Sequence, residues 1–316
     1  MNRALTSTFF GLKDYDLAAT LNSGQVFRWE PDGAGWVGVI GCCWVRLEPR
    51  TGGIAAQVAQ PVKDWDWLAT YLQLDVNLDD VLATFPTDAP MQAAVAACRG
   101  LRLLRQEPWE CLASFILSSN NQIRRIRQLI SELCMRYGRP VCVPAGYPAA
   151  FAFPTPEKIA SLSERELRRC KIGFRAPYLL AAARAVANRE LNLGTLGASS
   201  YESAKRKLLE LPGVGPKIAD CVLLFAYGFQ CAFPIDVWVL RALREFYFTG
   251  RRPSPRQIAE FVQGHFGPFA GYAQQYLYHY IRMRAGESAP SEPSGCLQHK
   301  AAVAPCRLCI TKFRCR

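Results

Sequence analysis

Lys217 and Asp236, nineteen residues apart, are the side chains in this sequence best placed for covalent chemistry. Lys217 lies in LLELPGVGPKIADC, residues 208–221, directly after Pro216, a residue suited to the first turn of a helix. The positive end of the helix macrodipole disfavours an ammonium there, and partial burial disfavours it further. A lysine amine so placed is a candidate nucleophile, although a solvated lysine touching a phosphate suits the same position. Asp236, in AFPIDVWVLR, follows an apolar stretch with a proline and begins a helix. It is either that helix's N-cap or a poised carboxylate that stabilises positive charge developing on a sugar as a glycosidic bond breaks.

Around Lys217 the sequence reads as two helices joined by a tight turn. Gly213 and Gly215 can take positive φ and let another backbone come close. Free amides at such a turn, and in the first turn of the following helix, bind phosphate without reading base sequence. An ordinary connection between helices accounts for the same glycines. A second constellation closes the chain: Cys296, Cys306, Cys309 and Cys315, spaced C-x9-C-x2-C-x5-C. Four thiolates suit a 4Fe–4S cluster, and they suit structural zinc equally, with His299 as a spare ligand.

These groups need a scaffold, and the chain is long enough to build one. Its 316 residues are 50% apolar, enough for two domains and a short appendage. Residues 1–60 read as strands: VFRWE, GWVGVI and CCWVRLEPR are separated by turn-forming segments, an antiparallel meander. The pattern from Val62 to Phe85 is helical, and helices dominate after Pro90. Those expected lie near 109–118, 123–137, 157–161, 164–170, 176–188, 201–211, from Pro216, 236–246, 255–266 and 271–284. AGESAPSEPSG, residues 285–295, is a polar linker ahead of the cysteine-bearing tail.

Charge and cysteine usage narrow the function classes. The net charge of +12 points to a polyanion such as duplex DNA, with a merely basic surface as the bland alternative. No run of about 18 apolar residues exists, so no membrane span is expected. The charged N-terminus lacks a signal peptide's apolar stretch, which places the protein inside the cell, in cytoplasm and nucleoid or in a nucleus. Thirteen cysteines in a reducing compartment argue against a disulfide framework. Nine of them are scattered and are expected to fill core positions as small apolar residues.

Lys217, its hairpin and Asp236 together resemble the helix-hairpin-helix DNA glycosylase superfamily. SGQVFRW (23–29), LLRQEPWECLASFILSSNNQIRRI (103–126), IGFRAPYLLAAARAV (172–186), LPGVGPKIADC (211–221) and GPFAGYAQQYLY (267–278) resemble, in order, the 8-oxoguanine DNA glycosylase family. The resemblance covers roughly residues 10–284. It implies an α+β fold: an N-terminal antiparallel sheet domain over 1–96, an all-α helix-hairpin-helix glycosylase domain over 97–284, and a linker and cysteine tail over 285–316. It also implies a monomer acting on double-stranded DNA with the damaged nucleotide flipped out.

The resemblance assigns roles as well. Lys217 corresponds to the lysine that attacks C1′ of the sugar, forms a Schiff base and nicks the strand by β-elimination, chemistry that needs no cofactor. Asp236 corresponds to the aspartate that supports oxocarbenium-like charge. Gly24 corresponds to the glycine whose carbonyl accepts the N7–H of 8-oxoguanine, a position where guanine presents a lone pair. Cys221, one turn beyond Lys217, and Tyr278 correspond to the two faces of the base pocket, and Gln274 to the reader of the Watson–Crick edge. Asn120 corresponds to the residue filling the gap in the duplex, and Arg125 and Arg175 to arginines on the orphaned cytosine. Trp238, Phe174 and Gln122 depart from the family's usual histidine, tyrosine and asparagine.

The tail spacing C-x2-C-x5-C resembles the iron–sulfur loop of the endonuclease III and adenine glycosylase branches, whose first gap is usually six residues rather than nine, and its position after the glycosylase domain favours the cluster over zinc. An endonuclease III-like enzyme for oxidised pyrimidines shares Lys217, Asp236 and the tail, but it does not predict SGQVFRW, Gln274 or Tyr278. A non-catalytic, structure-specific DNA-binding module would keep the charge and the hairpin and need neither Lys217 nor Asp236.

Overall fold

A computed structural model of the protein describes residues 5–286. Cys296, His299, Cys306, Cys309 and Cys315 lie outside the described residues. The first layer comprises β1 (Thr6–Gly11), α1 (Leu17–Asn22), β2 (Trp29–Asp32), β3 (Gly35–Ile40), β4 (Cys43–Arg50) and β5 (Gly53–Val58). β2 to β5 form the antiparallel meander, and β1 returns to pair with β5, giving the order β1-β5-β4-β3-β2. Alternation buries Ile54, Ala56 and Val58 of β5 on the face that carries Val45 and Leu47 of β4. Leu17 and Leu21 of α1, with Leu68 and Leu72 of α2 (Asp66–Leu72), cover that face.

Three expectations need correction here, the first being the strand reading of 1–60, which α1, capped by Asp16, interrupts as a helix. VFRWE does not start as a strand, because tertiary contacts claim its first half. Phe27 packs edge-on against Phe115, 5.7 Å between ring centres, and Arg28 pairs with Glu110 at 3.1 Å. The helical stretch over 62–85 also splits. Gln73 ends α2 in the left-handed region at φ 54°, and Asn77 caps a new helix, α3 (Leu78–Ala83).

The remaining elements are α4 (Ala89–Cys98), α5 (Pro108–Leu117), α6 (Ile123–Tyr137), β6 (Pro140–Val141), β7 (Ala150–Phe151), α7 (Pro156–Ala160), α8 (Glu164–Arg169), α9 (Ala176–Ala187), α10 (Leu193–Leu196), α11 (Tyr201–Leu209), α12 (Pro216–Val222), α13 (Val237–Phe246), α14 (Pro255–His265) and α15 (Ala270–Arg284). Side-chain caps start many of them, including Asp88 for α4 and the capping boxes of Ser163 and Ser254. α5 is buried almost throughout and packs against α6, α9 and α12, while α15 lies on α4 and α13. Leu78, Val81 and Met91 belong to this helical core rather than to the sheet's.

The segment 101–104 ties the two cores together. Leu104 packs under the sheet, Tyr276 of α15 donates to the Leu101 carbonyl at 3.1 Å, and the Leu103 amide donates to Tyr272 Oη at 3.2 Å. Among the nine described cysteines, Cys98, Cys111, Cys134, Cys170 and Cys221 fill the core as expected. Cys43 and Cys142 are half-buried, and Cys42 and Cys231 are exposed, contrary to expectation. No helix among the described residues is long and apolar enough to cross a membrane.

Candidate active site

The hairpin joins α11 to α12 through two glycines with different duties. Gly213 takes φ 80°, and a Cβ there would come within 2.3 Å of the Tyr178 ring, so both conformation and space require glycine. Gly215 does not use positive φ. It is the N-cap of α12 in an extended conformation, φ −96°, and a Cβ there would meet nothing within 4 Å. Past Val222 the helix widens into a π-turn over Leu223–Tyr227, which Gly228 ends in the left-handed region.

Lys217, in the first turn of α12, reaches over α5. Its Nζ donates to Ser118 Oγ at 3.2 Å and sits 5.0 Å from the centre of the Phe115 ring. Ser118 Oγ in turn donates to the Phe115 carbonyl at 2.7 Å, which orients the hydroxyl's lone pairs towards the amine. Cys221 lies one turn along the same helix. Burial pushes its thiol up to about 12, against the pull of Lys217, so it is a neutral thiol rather than a competing nucleophile.

Asp236 fulfils the capping reading and still faces Lys217. Its Oδ1 accepts from the amides of Trp238 at 2.9 Å and Val239 at 2.8 Å, capping α13. Burial raises its carboxyl above the ordinary value. The Val239 amide, Lys217, the Trp238 amide and Arg282 pull it back down.

Gly24 arrives from the sheet domain. A turn after α1 places it at φ 76°, where a Cβ would stand 2.9 Å from Tyr278 Oη and 3.0 Å from Ile123 Cδ1. Gln274, Gln275 and Tyr278 come from α15. Gln274 Nε2 donates to the Pro234 carbonyl at 3.0 Å, and its buried Oε1 accepts nothing from the described residues. Burial pushes the Tyr278 hydroxyl up, and the Arg282 guanidinium lies 5.2 Å from its ring centre. Gly24, Lys217, Cys221, Asp236, Gln274 and Tyr278 all line one cavity of about 30 Å³, together with Phe115, Phe225, Pro234 and Gln275.

The expected DNA contacts are arranged differently from one another. Asn120 stands in the loop after α5 with φ 49°. Arg175 is buried and spends its guanidinium on that loop, donating from Nε to the Ser119 carbonyl at 2.8 Å and from Nη2 to the Asn120 carbonyl at 3.1 Å. It lies 4.3 Å from the Phe174 ring centre, and Phe174 is exposed. Arg125 donates more loosely, to Gln128 Oε1 at 3.2 Å and the Lys171 carbonyl at 3.4 Å. Trp238 is half-buried beneath Arg241, beside Val237, which is 77% exposed. No group of His, Cys, Asp and Glu among the described residues is placed to hold a metal ion.

Sequence reasoning did not find Phe115, Ser118, Gln275 or Arg282. Phe115 and Ser118 share a face of α5 at i, i+3, but helical spacing does not say which helix that face meets. Gln275 neighbours Gln274 and also lines the cavity, but its amide holds the Ser23 carbonyl, a partner that no local spacing reveals.

The chain resembles known proteins along most of its length. Residues 8–112 match the family model "8-oxoguanine DNA glycosylase, N-terminal domain", and residues 113–268 match "HhH-GPD superfamily base excision DNA repair protein". The chain is 30% identical to a probable N-glycosylase/DNA lyase of Methanothermobacter thermautotrophicus, over 85% of this chain and 94% of that protein. It is likewise 30% identical to the N-glycosylase/DNA lyase OGG1 of Arabidopsis thaliana, over 88% of this chain and 81% of that protein. Among solved structures it resembles the Clostridium acetobutylicum 8-oxoguanine glycosylase/lyase in complex with double-stranded DNA containing cytosine opposite 8-oxoguanine. The TM-score is 0.81 at 28% identity, covering 90% of this chain and all of that one. The chain belongs to the N-glycosylase/DNA lyase family of helix-hairpin-helix base excision repair proteins.

Proposed function

We propose that the protein is a bifunctional glycosylase and lyase that removes 8-oxoguanine from duplex DNA, opposite cytosine, where the genome resides in the cell. The observation carrying this reading is that Lys217 and Asp236 share one cavity with Gly24, which belongs to the segment matching the N-terminal domain. A purine does not fit in about 30 Å³, so Tyr278 and Gln274 shift as the flipped nucleotide enters.

Lys217 Nζ attacks C1′ of the flipped nucleotide. The N-glycosidic bond breaks, its electron pair leaves on the base, and the base takes up a proton. Opening of the sugar ring gives a Schiff base between Nζ and C1′. Loss of a C2′ proton and cleavage of the C3′–O bond then nick the strand 3′ to the lesion. Asp236 supports the positive charge that develops on the sugar, while its Oδ1 stays fixed by two amides. The Gly24 carbonyl accepts the N7–H of the lesion. Facing the lone pair of guanine it would cost roughly 1–3 kcal/mol, so other contacts add to the discrimination. Asn120 and Arg125 face the vacated stack and the orphaned cytosine, and Arg175 supports them by building the 119–120 loop.

A panel of duplexes carrying 8-oxoguanine or thymine glycol, with borohydride reduction, tests this reading. The expected result is a trapped protein–DNA adduct on 8-oxoguanine, lost in Lys217→Gln with a rate loss of about 10³-fold or more. Preference for thymine glycol would favour the endonuclease III-like alternative. Absence of any adduct would favour a binding module.

We propose further that Cys296, Cys306, Cys309 and Cys315 hold a 4Fe–4S cluster, supported by four thiolates at C-x9-C-x2-C-x5-C. Iron, sulfide and broad visible absorption are expected in the purified protein. Zinc without them would overturn this assignment.

A further inference from the structure

A carbonyl that discriminates by one hydrogen bond has to be aimed, and a glycine at φ 76° does not aim itself. The Ser23–Gly24–Gln25 turn is held on both sides by side-chain amides. Gln25, fully buried, donates from Nε2 to the Thr20 carbonyl at 3.0 Å, Ser23 Oγ at 2.9 Å and the Arg102 carbonyl at 2.8 Å. Its Oε1 accepts from the Leu104 amide at 2.8 Å, and its own backbone carbonyl accepts from Gln106 Nε2 at 2.8 Å. These bonds fix the far side of the turn to the segment that joins the two cores.

The near side is fixed from a different element. Gln275 of α15, 2% exposed, donates from Nε2 to the Ser23 carbonyl at 2.7 Å, across 252 residues of sequence. The Ser23 carbonyl belongs to the peptide plane that sets φ of Gly24. α15 supplies two adjacent glutamines that both line the cavity and hold different carbonyls: Gln274 that of Pro234, and Gln275 that of Ser23.

We propose that Gln275 is a positioning residue for lesion recognition: by holding the Ser23 carbonyl it orients the Gly24 carbonyl towards the base, and it thereby couples the helix carrying Gln274 and Tyr278 to the reading group of the sheet domain. This rests on the glycosylase/lyase reading above. It separates recognition from chemistry, because the Gly24 carbonyl acts on the base, whereas strand nicking at a site that already lacks its base needs Lys217 and no contact with a base.

The test compares wild type, Gln275→Leu and Gln275→Asn on two substrates, a duplex with 8-oxoguanine opposite cytosine and the same duplex with a preformed abasic site. In Gln275→Leu, 8-oxoguanine excision is expected to fall by about tenfold or more, the scale of one misplaced buried hydrogen bond, a clearly larger loss than that of abasic-site nicking. Gln275→Asn, which keeps the amide on a shorter stem, is expected to fall between. Preference in binding for the lesion duplex over an undamaged one should shrink in the same order. A parallel loss of excision and abasic nicking would mean that Gln275 merely supports the fold, and this would overturn the proposal. Undiminished excision in Gln275→Leu would overturn it as well. Failure of wild type to excise 8-oxoguanine would instead remove the functional reading beneath it.

Discussion

At the residue scale, Asp236 shows how one side chain holds two roles. Its Oδ1 is committed to the amides of Trp238 and Val239, and its burial beside Lys217 raises the carboxyl above the ordinary range. A raised folded-state value means that the ionised form is disfavoured by folding. The stabilising contribution is present below the unfolded value and is lost as pH rises through the folded one. At neutral pH the ionised carboxylate is thus a cost to stability that catalysis requires. Asparagine caps a helix as well as aspartate does and carries no charge to desolvate. Asp236→Asn should therefore keep or raise Tm at neutral pH while excision falls by about 10²–10³-fold. A calorimetric scan beside single-turnover kinetics checks both halves. In wild type, the acid limb of the excision rate should lie above the ordinary aspartate range, and that limb should vanish in Asp236→Asn.

At the element scale, the α11–α12 hairpin owes its shape to Gly213 and leaves open space at Gly215. Gly213→Ala forces a left-handed alanine and drives Cβ into the Tyr178 ring, so it should destabilise the protein by at least about 1–3 kcal/mol in denaturant titration. Gly215→Ala adds a methyl group to extended backbone with nothing within 4 Å, and stability should change by less than about 1 kcal/mol. If a phosphate approaches those amides, the same methyl should weaken duplex binding, which titration of labelled DNA would show. Equal affinity in Gly215→Ala would place the phosphate elsewhere. The hairpin is also braced from behind. Asp220, buried, accepts from Tyr201 Oη at 2.7 Å and pairs with Lys205 at 2.8 Å, locking α12 to α11 three residues beyond the nucleophile.

At the scale of the whole molecule, the Schiff-base chemistry of Lys217 needs no metal. Removing metal from Cys296, Cys306, Cys309 and Cys315 should therefore bleach the visible absorption and leave borohydride trapping at low salt undiminished. A lost adduct after metal removal would tie the tail to the chemistry. The net charge of +12 acts at this same scale, drawing the duplex to the protein without choosing the base.

Local physics made much of this protein legible in its sequence. Apolar residues at helical spacing, from Ile123 through Ile126, Leu129, Ile130 and Leu133 to Cys134, bound α6 at Ile123–Tyr137 because one face of that helix is buried along its whole length. Pro216 marks the start of α12 because a first-turn proline forfeits no hydrogen bond. Only the family resemblance, not local physics, points to Cys221, Gln274, Tyr278 and Gly24, and with Lys217 and Asp236 they meet in one cavity. Tertiary structure decided what local rules do not encode. β1 is the edge strand of the sheet, its TSTFFG segment joining β5 from the far side of the meander. Phe27 left the strand pattern for the helical core, and Arg175 turned inward to hold the Asn120 loop. Asp236 proved to be both cap and cavity wall. Ser118 and Gln275 gained their roles only when distant segments met them: 99 residues separate Ser118 from Lys217, and 252 separate Gln275 from Ser23. A sequence period fixes which face of a helix is buried, but which partner that face meets depends on how the cores close on each other.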